Sequence, residues 1–250
     1  MPPFREVNHE IPLIDKGKRY HYHLPRCPNS LKAEFNKKVE KYMRAGWWKL
    51  TAANQAAPML CLLKKDRHLW TVIDCRQHNK NTVKDVTPMP DQDGIREDMA
   101  RGKYRSKIDL SDAYEQVQIV PDDIWKTAFT TIWGMFTSAV MQQGDCNAPA
   151  TFQRLMMSIF QDIIGVFMHV YINDIFVFSD SIEEHEAHLH VIFDRLQEQT
   201  LYLNGAKCEL YAERMDCLGY IINDNGLHAD EDKLTHIMEW QTPHTYHNIQ

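Results

Sequence analysis

The chain has 250 residues, 44% of them hydrophobic and 25% charged, a balance that suits a globular protein with apolar mass for one large or two small cores. Its formal net charge of −6 argues against a surface that is basic all over, as duplex binders tend to be. No stretch reaches the roughly 20 apolar residues of a membrane helix, Met1-Pro2-Pro3-Phe4-Arg5-Glu6-Val7 lacks the apolar core of a secretory signal, and six scattered cysteines without a C-x-x-C pair read as free thiols of a reducing compartment. An intracellular protein, cytoplasmic or nuclear and without a membrane partner, is expected.

Residues 1–28 are polar and proline-bearing and read as an extended arm or linker. A helix is predicted from Ser30 to Ala45: Ser30 caps it, Leu31, Phe35 and Val39 line one face, and Gly46 stops it. Met59–Leu63 and Leu69–Asp74 form a hairpin with a basic tip, Lys64-Lys65-Asp66-Arg67-His68. Thr82–Gln92 is loop-like. Tyr104–Leu110 is a strand and Ser111–Gln116 a helical turn. Ala128–Thr131 and Phe136–Val140 pair around Gly134, and Asn147-Ala148-Pro149 opens a helix. Val166–Ile172 and Ile175–Ser179 are apolar on both faces and joined by Asn173-Asp174, a tight hairpin lying centrally in a sheet covered by helices. Ser181-Ile182-Glu183-Glu184 caps a helix to about Leu201, and strands follow at Lys207–Tyr211 and Asp216–Ile222. The order defines an α+β fold with a mixed, largely antiparallel sheet and packed helices.

Two acids stand out. Asp109 closes a strand and Asp174 sits at the tip of a buried hairpin, so adjacent strands of one sheet bring their carboxylates together. Paired carboxylates are what Mg²⁺ prefers, and two such ions are what nucleotidyl transfer uses. Asp112 is near in sequence but is read as facing the turn.

Several longer motifs carry a family resemblance. Ser106-Lys107-Ile108-Asp109-Leu110-Ser111-Asp112-Ala113-Tyr114, Gln143-Gly144-Asp145-Cys146-Asn147-Ala148-Pro149, Tyr171-Ile172-Asn173-Asp174 and Cys217-Leu218-Gly219-Tyr220 occur in that order. Together they resemble the fingers–palm part of the reverse transcriptase of gypsy-type LTR retrotransposons. The resemblance implies a polymerase right-hand fold and RNA-directed DNA synthesis with RNA template, DNA primer, dNTP and Mg²⁺ or Mn²⁺. Other parts of a retroelement polyprotein are implied as partners. It divides the chain into an arm (1–28), mainly fingers (29–105), mainly palm (106–222, with part of the fingers around 121–145), and the palm end with the start of a missing thumb (223–250). By the same resemblance Asp109, Asn173 and Asp174 are catalytic, with Asp109 and Asp174 holding metal. Lys64, Lys65, Leu110, Tyr114 and Gln143 contact the nucleotide, and Leu218, Gly219 and Tyr220 grip the primer.

The chain departs from that pattern twice. Asn173 stands where the family has an aspartate, and a neutral amide cannot bridge two dications as a carboxylate can, which implies a rate lower by several orders of magnitude. As a hairpin residue asparagine is unremarkable, since it tolerates positive φ. Trp70 stands where the family has a triphosphate-gripping arginine, and an indole cannot pair with phosphate. A non-catalytic nucleic-acid-binding or interaction module, or a decayed element fragment, are therefore the alternatives. His185 and His188 lie one turn apart and are read as a solvated helix face rather than a metal site. His21 and His23 are read as equally bland, and Trp47-Trp48 as core packing.

Overall fold

The computed structural model describes residues 1–20, 25–63 and 68–240. Lys64, Lys65 and the rest of the expected basic tip up to Arg67 lie outside the described residues, as do His21 and His23. In chain order the elements are α1 (Lys32–Arg44), β1 (Trp48–Leu50), β2 (Ala57–Leu63), β3 (Leu69–Ile73), α2 (Arg76–Asn79), α3 (Gln92–Arg101), β4 (Tyr104–Asp109), β5 (Phe129–Thr131) and β6 (Gly134–Ser138). They continue with α4 (Ala148–Phe160), β7 (Met168–Tyr171), β8 (Asp174–Ser179), α5 (Ile182–Glu198), β9 (Arg214–Cys217), β10 (Tyr220–Asn223), β11 (Gly226–Ala229) and α6 (Glu231–Met238). No described helix is long and apolar enough to cross a membrane.

Apolar runs set the layers. The first sheet has the order β1-β6-β5-β2-β3, with β2 parallel to β5 and the other pairs antiparallel. Its inner face packs Trp48, Met59, Phe129 and Phe136 against Phe35 and Val39 of α1. The second sheet, β4-β8-β7, is antiparallel throughout. Side chains alternate along its central strand β8: Ile175 and Val177 join the core under α4 and α5, while Phe176 and Phe178 join a second core with Ile95 and Met99 of α3 and Met215 and Ile222. That double burial explains why β8 is apolar at consecutive positions. The third sheet, β9-β10-β11, borders this second core.

The arm lies against the body. Arg5, Asn8, His9 and Ile11 are buried. The Arg5 guanidinium donates to the Gln116 carbonyl at 2.6 Å and to the Gln199 carbonyl at 2.7 and 3.2 Å, taking up carbonyls at the ends of a 3₁₀ turn (Ala113–Gln116) and of α5.

Five local expectations are corrected. A 3₁₀ turn, Asn29–Leu31, precedes α1, so Ser30 does not cap it through its side chain. Helix α3 occupies a segment expected as loop to Gln92 and unassigned beyond it; Asp91 caps it by accepting from the Asp93 N–H. Residues 207–211 make isolated bridges, such as Glu209 to Lys107, rather than a strand. The run 216–222 is split into β9 and β10 by a two-residue turn, Leu218 and Gly219, at φ 51° and 81°. His185 is fully buried, not solvated: its Nε2 meets Ser106 Oγ at 2.7 Å and its Nδ1 meets Ser179 Oγ at 2.9 Å. Burial, then repulsion from His188, pushes its pKa down to about 4. His188 stacks on Phe167 with ring centroids 3.8 Å apart.

Candidate active site

Strands β4 and β8 run antiparallel in a register that sets Asp109 directly opposite Asp174. Asp109 is the last residue of β4 and Asp174 the first of β8, so both acids stand at one end of the sheet, beside the β7–β8 turn. The turn needs outside support. Its positive φ falls on Ile172, at 54°, and not on Asn173, and a β-branched side chain is costly in that region. Gln153, buried in α4, supplies the support: its Oε1 accepts from the Ile172 N–H at 2.9 Å and its Nε2 donates to the Val170 carbonyl at 3.3 Å. The Leu110 N–H donates to the Asn173 carbonyl at 3.0 Å, which ties the turn to β4.

The acids are internally compensated. Asn173 Nδ2 donates to Asp109 Oδ2 at 3.3 Å. Lys207 Nζ lies 3.8 Å from the same oxygen, and Lys107 Nζ lies 3.5 Å from Asp174 Oδ2. Burial raises the Asp174 pKa, Lys107 opposes that, and Asp109 and Asp216 add to it by repulsion. Two carboxylates and, with the amide turned over, the Asn173 oxygen offer the kind of oxygen ligand that a hard dication prefers. The neutral Asn173 amide cannot serve as a bridging carboxylate, so a ligand shared by two ions would have to be Asp109 or Asp174. Among the described residues there is no group of three or more His, Cys, Asp and Glu side chains placed to hold a metal ion.

The remaining expected residues fall into three places. Leu110 is buried in the core under α4 and α5, and its backbone N–H meets the Asn173 carbonyl. Tyr114 packs edge-on against Phe152 with ring centroids 6.2 Å apart, and burial raises its pKa. Gln143 is exposed and lines a cavity of about 150 Å³ together with Trp47, Trp70 and Lys38. Asp112, expected to face the turn, lines this cavity too, as does Glu115. Asp112 is left-handed at φ 43°. Glu115 is pushed up to about 7 by burial, aided by Asp112 and opposed by its own backbone amide and Lys38. Lys38 Nζ donates to Thr71 Oγ1 at 2.6 Å. Leu218, Gly219 and Tyr220 form the β9–β10 turn and its exit. Sequence reasoning passed over Gln153, Lys107 and Lys207 as residues of the site; the signal present for Gln153 was a polar side chain on the inward face of an otherwise apolar helix.

Residues 62–222, well over half the chain, match the family described as reverse transcriptase (RNA-dependent DNA polymerase). The chain therefore belongs to the reverse transcriptase family. It is similar to the retrovirus-related Pol polyprotein from transposon opus of Drosophila melanogaster, with 28% identity over 95% of this chain and 23% of the relative. It is also similar to that from transposon 297 of the same organism, with 34% identity over 69% of this chain and 16% of the relative. The Tf2-3 transposon polyprotein of Schizosaccharomyces pombe is 26% identical over 96% and 18%. The chain thus spans less than a quarter of the length of these curated relatives. Among solved structures, the foamy viral protease–reverse transcriptase shares the fold: TM-score 0.81 at 24% identity over 100% of this chain and 43% of that one, and 0.82 at 23% over 98% and 34% in a second structure.

Proposed function

We propose that this chain is the fingers–palm part of a gypsy-type LTR-retrotransposon reverse transcriptase whose RNA-directed DNA synthesis is impaired at Asn173. The observation that carries the reading is the Asp109–Asp174 register on adjacent strands beside the hairpin turn; family membership supports it. In this reading residues 1–28 are the arm, 29–105 mainly fingers, 106–222 mainly palm with 121–145 returning to the fingers, and 223–250 the palm end and thumb start. The substrates are dNTP, DNA primer and RNA template. The foamy viral structures are complexes with double-stranded DNA and with an RNA/DNA hybrid, which supports a template–primer duplex as partner.

Asp109 and Asp174 would hold Mg²⁺ or Mn²⁺, which when bound supplies charge stabilisation at the phosphoryl oxygens. Tyr114 and Gln143 would contact the nucleotide with Lys64 or Lys65, and Leu110 through its backbone. Leu218, Gly219 and Tyr220 would seat the primer end. Gln153 fixes the turn that carries Asn173. Asn173 removes one negative charge from the site and satisfies Asp109 with a hydrogen bond. That hydrogen bond, with Lys207 Nζ 3.8 Å from the same oxygen, also favours a second reading, a non-catalytic nucleic-acid-binding module, because the acid already has a cation and a donor beside it.

Both readings require binding to an RNA–DNA hybrid through its phosphates. Fluorescence anisotropy tests this: three phosphate contacts predict a loss of affinity of about fortyfold between roughly 50 and 200 mM salt. Absent or salt-independent binding contradicts both.

A further inference from the structure

Helix α3 touches the turn region of the candidate active site at two points. Gln92 and Arg96 are one turn apart and so share a face, while Ile95 and Met99 anchor the helix in the core beneath β8. Gln92 Nε2 donates to the Tyr171 hydroxyl at 2.6 Å, two residues before Asn173. Arg96 Nη2 donates to Gln92 Oε1 at 3.0 Å and to the Leu218 carbonyl at 3.0 Å. Its guanidinium lies over the Tyr220 ring, 4.5 Å from the centroid, and Asp93 holds Nη1 at 2.6 Å. One largely buried side chain, 12% exposed, therefore grips the β9–β10 turn at both ends. Leu218 is left-handed at φ 51°; such a residue persists only where its surroundings over-determine it, and the Arg96 bond to its carbonyl is one such constraint.

We propose that Gln92 and Arg96 are positioning residues that hold the 218–220 turn in register with the Tyr171 end of the β7–β8 hairpin, and so set the primer 3′ end against Asp109. The inference rests on the reading of this turn as the primer contact. A lysine at 96 keeps the charge and the ring contact but loses the planar fork that reaches two acceptors at once; an alanine loses both.

The test uses the full chain with two readouts. In the free protein, hydrogen exchange of the segment spanning 215–222 is expected to accelerate about tenfold in Arg96→Ala, the loss of one charge-assisted hydrogen bond, and less in Arg96→Lys, with the melting temperature lowered by only about 3–6 °C. With an RNA–DNA hybrid carrying a 5′ fluorophore and 2-aminopurine at the primer 3′ end, total binding by anisotropy is expected to hold while the 2-aminopurine response on binding drops by about half or more. Gln92→Leu is expected to lower that response without accelerating exchange at 215–222. Unchanged exchange in Arg96→Ala overturns the proposal, as does a loss of total binding in step with the melting temperature, which marks a merely structural residue. A parent that binds no hybrid overturns the primer role and the proposed function with it. A parent that binds, with a 2-aminopurine response unchanged in Arg96→Ala, overturns the positioning alone.

Discussion

Replacing His185 by glutamine is expected to change how stability depends on pH as well as its absolute level. Burial, aided by repulsion from His188, keeps the imidazole neutral between its partners Ser106 and Ser179, and its pKa falls from an ordinary 6.5 to about 4 in the fold. A depressed histidine pKa means the unfolded chain takes up the proton first. The stabilisation is whole above pH 6.5 and is lost as pH falls from 6.5 towards 4. Linkage over that shift gives a loss of about 2 kcal/mol between pH 7.5 and 5. Glu115 works in the opposite sense. Its pKa is raised from 4.5 to about 7, so its burial as a carboxylate weakens the fold above that range, and protonation relieves about 2 kcal/mol over the same interval. Urea unfolding at pH 5, 6 and 7.5 separates them. His185→Gln should gain about 2 kcal/mol relative to the parent as pH falls, and Glu115→Gln should lose about as much. Parent and His185→Gln curves that stay parallel across the interval would refute the reasoning.

Gly102 faces Phe178 so closely that an added Cβ would lie 2.7 Å from the Phe178 Cβ; Gly102→Ala is expected to cost about 1–3 kcal/mol by overpacking, read as a lower urea midpoint. Gln153→Leu leaves the Ile172 N–H without its acceptor and should cost about 1–3 kcal/mol in the same assay. Trp70→Arg places a guanidinium at the cavity that Gln143 lines and is expected to tighten dNTP binding about tenfold, the gain from one hydrogen bond to a charged partner. Titration by intrinsic fluorescence checks this, and unchanged affinity argues that position 70 does not face the triphosphate.

Where burial acts on both faces, the fold was legible in the sequence. The consecutive apolar residues of β8, the Ser181 cap of α5 and the Pro149 start of α4 all emerge as read. The α+β class and the convergence of Asp109 with Asp174 followed from them. What escaped was set by tertiary contact. Helix α3 carries Gly94 in its first turn and only Ile95 and Met99 as buried apolar residues, so its periodicity is faint and its formation depends on packing under β8. The left-handed strain at Ile172 rather than Asn173 is imposed by Gln153, nineteen positions away. His185 reads as polar from its charged neighbours, yet two serines on separate strands satisfy it inside. Lys107 and Lys207 look like solvated charges in sequence; strand β4 sets Lys107 against Asp174, while a turn brings the still exposed Lys207 near Asp109.

The central claim is that one residue, Asn173, limits an otherwise competent acid pair. Primer extension on an RNA template with Mg²⁺ or Mn²⁺ tests it most directly, comparing the parent with Asn173→Asp at high protein concentration and low salt. The account predicts extension by Asn173→Asp and a parent slower by several orders of magnitude. A parent that extends as fast as the variant would contradict it.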